Sequence, residues 1–91
     1  MKTLHFHISG LVQGVGYRWA MVAAASRLGL DGWVRNRRDG TVEAVVAGPA
    51  AAVEELIARC HAGPPGSAVA TLVVAGGTVA VAPGFVVLPT A

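Results

Sequence analysis

An α+β sandwich is predicted: one antiparallel sheet, two helices on a single face of it, and a short extra strand near the C-terminus. Three observations carry this reading. Residues 3–9 alternate between apolar and polar side chains, the period of a half-buried strand. Two later stretches, one from about Tyr17 to Leu28 and one opened by Gly48-Pro49, repeat their apolar residues at helical spacing. Between them Asp39-Gly40, a hairpin dipeptide, joins two strand-like runs. Strand, helix, strand, strand, helix, strand is the order of the ferredoxin-like βαββαβ sandwich.

Each element has its own signal. In the first strand Leu4, Phe6 and Ile8 share one face, and His5 and His7 the other. Gly10, Gly14 and Gly16 then replace the alternation with a loop. Tyr17, Met21, Ala25 and Leu28 form one stripe of the first helix, and Gly29 is placed to end it in a left-handed cap. A short turn at Asp31-Gly32 leads to the second strand, Trp33–Arg38, and Thr41–Ala47 returns beside it. Pro49 suits the first position of the second helix, whose apolar face is Val53, Leu56, Ile57 and Cys60. Gly63-Pro64-Pro65-Gly66 stops that helix. Ala68–Val74 and Phe85–Leu88 are the last strands, with Val69, Leu72, Val74, Phe85 and Val87 as their core residues.

Composition narrows the function classes. With 91 residues the chain is expected to be one domain, 1–91, and its 54% apolar content excludes a disordered chain. A net charge of +2 is too small to indicate a nucleic-acid or membrane-surface protein. Arg18, Arg35, Arg37 and Arg38 are four of the seven basic residues, a concentration that favours a small anionic ligand. Cys60 is the only cysteine, so no internal disulfide is possible and a reducing compartment, the cytoplasm, is expected. His5, His7 and Ser9 interrupt any signal-peptide core. Residues 62–91 contain no Asp, Glu, Lys or Arg, but prolines and glycines cut them into pieces too short to cross a bilayer as a helix.

The chemistry is concentrated in residues 10–18, GLVQGVGYR. Glycine adopts backbone angles that other residues avoid, so the loop can curl until successive N–H groups converge. The following helix adds unpaired N–H groups and the positive end of its dipole. Arg18, in the first turn, adds a permanently charged fork of donors. Such a concavity suits a tetrahedral oxyanion, foremost phosphate. The predicted topology sets the first and second strands parallel with the third between them. The loop and Asn36 then meet at one end of the sheet, roughly 10 Å apart across two strand spacings. If Val34 packs under the helices, Asn36 shares its face and looks toward the loop.

Several phosphate chemistries are missing their residues. There is no GxxxxGK[ST] loop, and Gly66 stands six residues after Cys60, where a cysteine phosphatase needs Arg. The glycine loop holds no carboxylate, and no Ser/His/Asp set is suggested. What remains can bind phosphoryl oxygens, stabilise charge and position a water, but lacks a general acid. An alkoxide leaving group needs a proton; a carboxylate, whose conjugate acid has a pKa of about 4, does not. The substrate this implies is a mixed anhydride of phosphate and a carboxylic acid, cleaved by water.

GLVQGVGYR at 10–18 and GWVRNRRDGTVEAVVAG at 32–48 resemble the two signature segments of the acylphosphatases. The similarity runs from the first strand to at least the PPG at 64–66, while the uncharged residues 67–91 depart from the family's more charged end. The resemblance implies that Arg18 binds phosphate with the loop N–H groups of Gln13, Gly14, Val15, Gly16, Tyr17 and Arg18, and that Asn36 orients the attacking water. It also implies a small monomeric hydrolase that takes an acyl phosphate, holds inorganic phosphate or a similar anion in its cradle, and needs no metal and no cofactor.

Plainer readings apply elsewhere. Arg35, Arg37 and Arg38 read as a solvated strand face and turn that raises local positive potential. His5 and His7 lack a third ligand for a metal. His61 reads as a helix C-terminal residue favoured by the dipole, Cys60 as helix packing, and Tyr17, Trp19 and Trp33 as core or rim. The main rival is a non-catalytic ferredoxin-like module for a small anion or RNA. RNA-binding versions show aromatic residues on their central strands, and TVEAVVA has none. A silent structural domain and a carbamoyl-phosphate domain of a larger maturation enzyme are further rivals. Arg18 and Asn36 weigh against the first, and an end at residue 91 favours a free-standing hydrolase over the second.

Overall fold

The computed structural model describes residues 2–77 and 80–91. Its elements are β1 (Lys2–Leu11), α1 (Tyr17–Arg27), β2 (Asp31–Asn36), β3 (Val42–Gly48), α2 (Ala50–Ala62), β4 (Ala68–Gly76) and β5 (Phe85–Val87). The sheet order is β4-β1-β3-β2-β5, so β3 lies between β1 and β2 as the βαββαβ order requires. The four longer strands pair antiparallel, and β5 adds to the free edge of β2 in parallel.

One face of the sheet carries the core. Phe6 and Ile8 from β1, Val34 from β2, and Val42, Ala44 and Val46 from β3 are fully buried against the helices. From above, α1 brings Tyr17, Met21 and Ala25, and α2 brings Val53, Leu56 and Cys60. The helices are held by burial of these stripes rather than by intrinsic propensity. Phe85 closes the β5 end of the core, while Val69, Leu72, Val74 and Val87 pack at its margin.

Helix α1 ends as expected, with a twist of detail. Gly29 has φ +70°, its N–H donates to Ser26 O, and Leu30 N–H reaches back to Ala25 O. These two bonds form a Schellman motif, and Leu30 drops into the core beyond it. The chain thereby turns at 28–30, not at Asp31-Gly32. Both of those residues belong to β2, where Gly32 pairs with Val46 and a Cβ on it would collide with Val45 O. Glycine stands there for close backbone approach, so its presence misleads as a turn signal. Pro49 likewise sits one residue earlier than expected, as the extended N-cap of α2, with Ala50 first in the helix.

The uneven spacing of inward residues in β4, Val69 and then Leu72 and Val74, has a simple origin. Ser9 pairs with Thr71 and Gly10 with Val69, which leaves Ala70 as an extra residue. A bulge of one residue shifts the alternation and restores the apolar side chains to the core face. Beyond β5 the chain stays on the β2 edge: Leu88 N–H donates to Val34 O, Ala91 N–H to Asn36 O, and Arg38 N–H to Ala91 O.

Candidate active site

The register brings one row of residues across three strands: Ile8 pairs with Val42, and Val42 with Asn36. Ile8 and Val42 are fully buried on the helix side, and Val34 two residues before Asn36 is buried there too. Asn36 therefore lies at the end of that face, and its side chain leaves the apolar core just where the sheet stops. Among the described residues, Asn36 Oδ1 is the one buried side-chain nitrogen or oxygen with no hydrogen-bond partner. A buried carbonyl oxygen costs about 1–3 kcal/mol unless a donor reaches it, and a water is such a donor.

The loop from β1 to α1 occupies the same end. Strand β1 continues through Leu11, so the loop proper is Val12–Gly16 and Gly10 belongs to the bulge. Gly14 and Gly16 have φ of +74° and +78°, and a Cβ on either would meet nothing within 4 Å. Backbone angle, not space, selects glycine there. The next backbone bond after the loop is Ala20 N–H to Gly16 O, and the N–H groups of residues 13–19 donate to no acceptor among the described residues. Helix α1 opens on Gly16 with no capping side chain and no acidic residue in its first turn. Its N-terminal donors and dipole are thus uncompensated.

Arg18 is half-buried in that first turn and pairs with no carboxylate among the described residues. Arg35 and Arg37 are engaged with Glu43, and Arg59 with Glu55, while Arg27 and Arg38, like Arg18, pair with no carboxylate among the described residues. Gln13 has a further use. Its Nε2 donates to Arg37 O at 2.7 Å and to Thr41 O at 2.8 Å, which ties the loop to the hairpin that begins next to Asn36. Within the hairpin, Asp39 Oδ1 accepts from Thr41 N–H and Thr41 Oγ1–H, and these bonds, the side-chain one first, lower its pKa.

Neighbouring groups are built out of the chemistry. Tyr17 OH donates to Cys60 O at 2.6 Å, and burial pushes its pKa up. Burial also pushes the Cys60 thiol up to about 12, which leaves no thiolate to attack phosphorus at neutral pH. A cavity of about 240 Å³ lies between the helices, lined by Tyr17, Met21, Leu56 and Cys60, and includes neither Arg18 nor Asn36. His61 lies in the last turn of α2. Trp33 is half-buried with Arg35 stacked 4.8 Å from its ring centre, but Trp19 is 65% exposed, outside both core and rim.

The open face of the sheet differs from its expected solvated character. Arg35, Arg37 and His5 converge on Glu43, whose side chain is only 13% exposed. Burial alone would raise this carboxyl, yet hydrogen bonds from Arg35, His5 and Arg37 outweigh it and hold the pKa at about 2. His7 bonds instead to Thr41 Oγ1. The signal for this cluster was present in the alternation, because Glu43 lies directly across from Arg35 on one side and His7 on the other. Only the pairing register joins residues so far apart in sequence.

The cradle of N–H groups, Arg18 and the Asn36 amide thus meet at one sheet end. A profile of the acylphosphatases matches residues 4–85. The chain belongs to the acylphosphatase family. An acylphosphatase of Rhizorhabdus wittichii is 56% identical over 84 residues, which cover 92% of this chain and 85% of that one. The crystal structure of acylphosphatase from Bacillus subtilis superposes with a TM-score of 0.93 at 31% identity, covering 97% of this chain and 99% of that one. Full-length HypF, in a phosphate- and nucleotide-bound form, superposes at 0.86 with 26% identity over 98% of this chain but only 12% of its own. Membership makes the chain an acid-anhydride hydrolase of the acylphosphatase type, the class to which the lack of a general acid in the loop pointed. Among the described residues no helix is long and apolar enough to cross a membrane, and no three His, Cys, Asp or Glu side chains are grouped to hold a metal ion.

Proposed function

We propose that the chain cleaves the carboxyl–phosphate bond of acyl phosphates with Arg18 and Asn36 as its catalytic residues. The phosphoryl group rests in the cradle of N–H groups from Gln13, Gly14, Val15, Gly16, Tyr17 and Arg18, with the Arg18 guanidinium on its outer oxygens. Water attacks phosphorus in line with the acyl oxygen, the new O–P bond forming as the acyl O–P bond breaks. The carboxylate departs unprotonated, and both water protons end on the product phosphate. Charge spreading over the three equatorial oxygens is met by fixed donors, so little reorganisation is needed. Asn36 Oδ1 accepts a hydrogen bond from the water and aims its lone pair at phosphorus.

The observation that carries this reading is the unpartnered Asn36 Oδ1 at the sheet end shared with the unsatisfied loop. An acceptor-only atom cannot serve an unprotonated phosphoryl oxygen; it can serve a water. We further propose that the chain is a single-domain monomer of the cytoplasm that binds no nucleic acid. The buried free thiol supports a reducing compartment, and a net charge of only +2 gives little attraction for a polyphosphate backbone. The test is phosphate release from a generic acyl phosphate with and without chelator, beside a phosphate monoester. Chelator-insensitive hydrolysis of the anhydride alone is expected. Hydrolysis of the monoester at an equal rate, or none of either by folded protein, would overturn the assignment.

A further inference from the structure

On the sheet face away from the helices, Glu43 of β3 gathers side chains from β1, β2 and the hairpin that follows β2. Its Oε1 accepts from Arg35 Nε at 2.7 Å and from Arg37 Nη1 at 3.0 Å, and its Oε2 is 2.7 Å from His5 Nε2. Arg35 and Arg37 are the two residues that flank Asn36. Successive side chains of a strand point to opposite faces. While Asn36 belongs to the helix side, both of its neighbours are therefore tied to a single carboxylate oxygen underneath.

The tie acts where the regular ladder stops. The ladder of β2 with β3 ends at the Asn36–Val42 pair; beyond it the backbone is held by single bonds, Arg37 N–H to Thr41 O on one side and Ala91 N–H to Asn36 O on the other. Strand ends fray unless something else holds them. Arg37 extends the tie upward as well, since its carbonyl accepts from Gln13 Nε2 of the cradle loop. One residue is thus joined to Glu43 by its side chain and to the phosphate loop by its backbone.

We propose that Glu43 is a positioning residue for hydrolysis: through Arg35 and Arg37 it fixes the end of β2 so that Asn36 keeps its aim at the phosphate cradle. The inference rests on the role of Asn36 given above. It concerns orientation, so it predicts a loss in turnover and not in phosphate binding. The clamp is dispensable for folding, because Arg35 and Arg37 are 28% and 39% exposed and rehydrate when released.

The experiment compares Glu43→Ala, Glu43→Gln and Asn36→Ala with the unaltered chain in the acyl phosphate assay, well below each melting temperature. Inorganic phosphate serves as a competitive inhibitor to report the cradle. Glu43→Ala is expected to lower kcat about tenfold, equivalent to about 1.4 kcal/mol, with the phosphate inhibition constant within about twofold of the parent. Glu43→Gln keeps an acceptor oxygen for the two arginines and is expected to recover part of the loss. Because Glu43 acts through Asn36, the double variant Glu43→Ala/Asn36→Ala should turn over no more slowly than Asn36→Ala alone. Parental kcat in both Glu43 variants, an equal loss of phosphate affinity, or a double variant that loses the product of the two effects would each overturn the proposal. If Asn36→Ala itself keeps parental kcat, the reading of Asn36 fails instead, and the two failures are distinguishable. Should Glu43→Ala not fold, Glu43→Gln carries the same kcat-against-phosphate test.

Discussion

Asn36 and Glu43 sit at the same end of the sheet, one on each face, and their polar atoms have opposite fates. Glu43 has every oxygen engaged: three donors hold it, and its carboxyl stays ionised down to a pKa of about 2. Asn36 Oδ1 is buried and has no partner among the described residues. The same contrast separates the arginines, with Arg35 and Arg37 spent on Glu43 while Arg18 pairs with no carboxylate among the described residues. A saturated polar group can hold a backbone in place but has no capacity left for a substrate. An unsaturated one is unfavourable at rest and becomes satisfied when the reactants arrive. The division assigns chemistry to the helix side of the sheet end and positioning to the open side.

The comparison breaks most visibly at Arg18. Arg18→Ala removes the guanidinium of the cradle, and kcat/KM is expected to fall about a thousandfold with weakened phosphate inhibition and an unchanged melting temperature. Steady-state rates and a thermal scan check this. A smaller effect is expected where the two sides are joined. Gln13→Leu removes both donors to the hairpin, at Arg37 O and Thr41 O, and kcat/KM should drop about tenfold. A full cradle with unimpaired turnover in that variant would show that loop and hairpin hold their places independently.

The saturated side is sharpened by pH. Glu43 has its pKa lowered from an ordinary 4.5 to about 2, so its contribution to stability is complete above 4.5 and is lost as pH falls toward 2. Urea midpoints of the parent and of Glu43→Gln should therefore differ at pH 6 and converge across that window. A constant gap would mean that the ion pairs do not stabilise the fold. The smallest effect is expected at Cys60, where a buried thiol with a pKa of about 12 should resist alkylation at pH 7.5 and leave activity untouched.

Much of this division was legible in the residues alone. The alternation of Leu4, Phe6 and Ile8, the stripe of Tyr17, Met21 and Ala25, and the glycines before Arg18 are local patterns, and they locate β1, α1 and the cradle. Sequence and structure part where local meaning depends on distant partners. Gly32 reads as a turn but serves the close approach of Val45 across the sheet. The pattern in β4 breaks at a bulge that only its pairing with β1 reveals. Arg35 and Arg37 read as solvated because nothing near them in sequence shows that His5 comes to the same carboxylate. For the same reason Gln13 reads as a backbone donor from its loop position, while its amide reaches residues 24 and 28 positions away. The expectation for residues 78 and 79, part of the uncharged tail, lies outside the described residues.

The central claim is that Asn36 acts on the water and not on the phosphate. It is tested most directly by measuring kcat and the phosphate inhibition constant of Asn36→Ala side by side. A fall in kcat of about a hundredfold or more, with phosphate affinity within about twofold of the parent, is the predicted result. Parental turnover, or a loss confined to phosphate affinity, would contradict it.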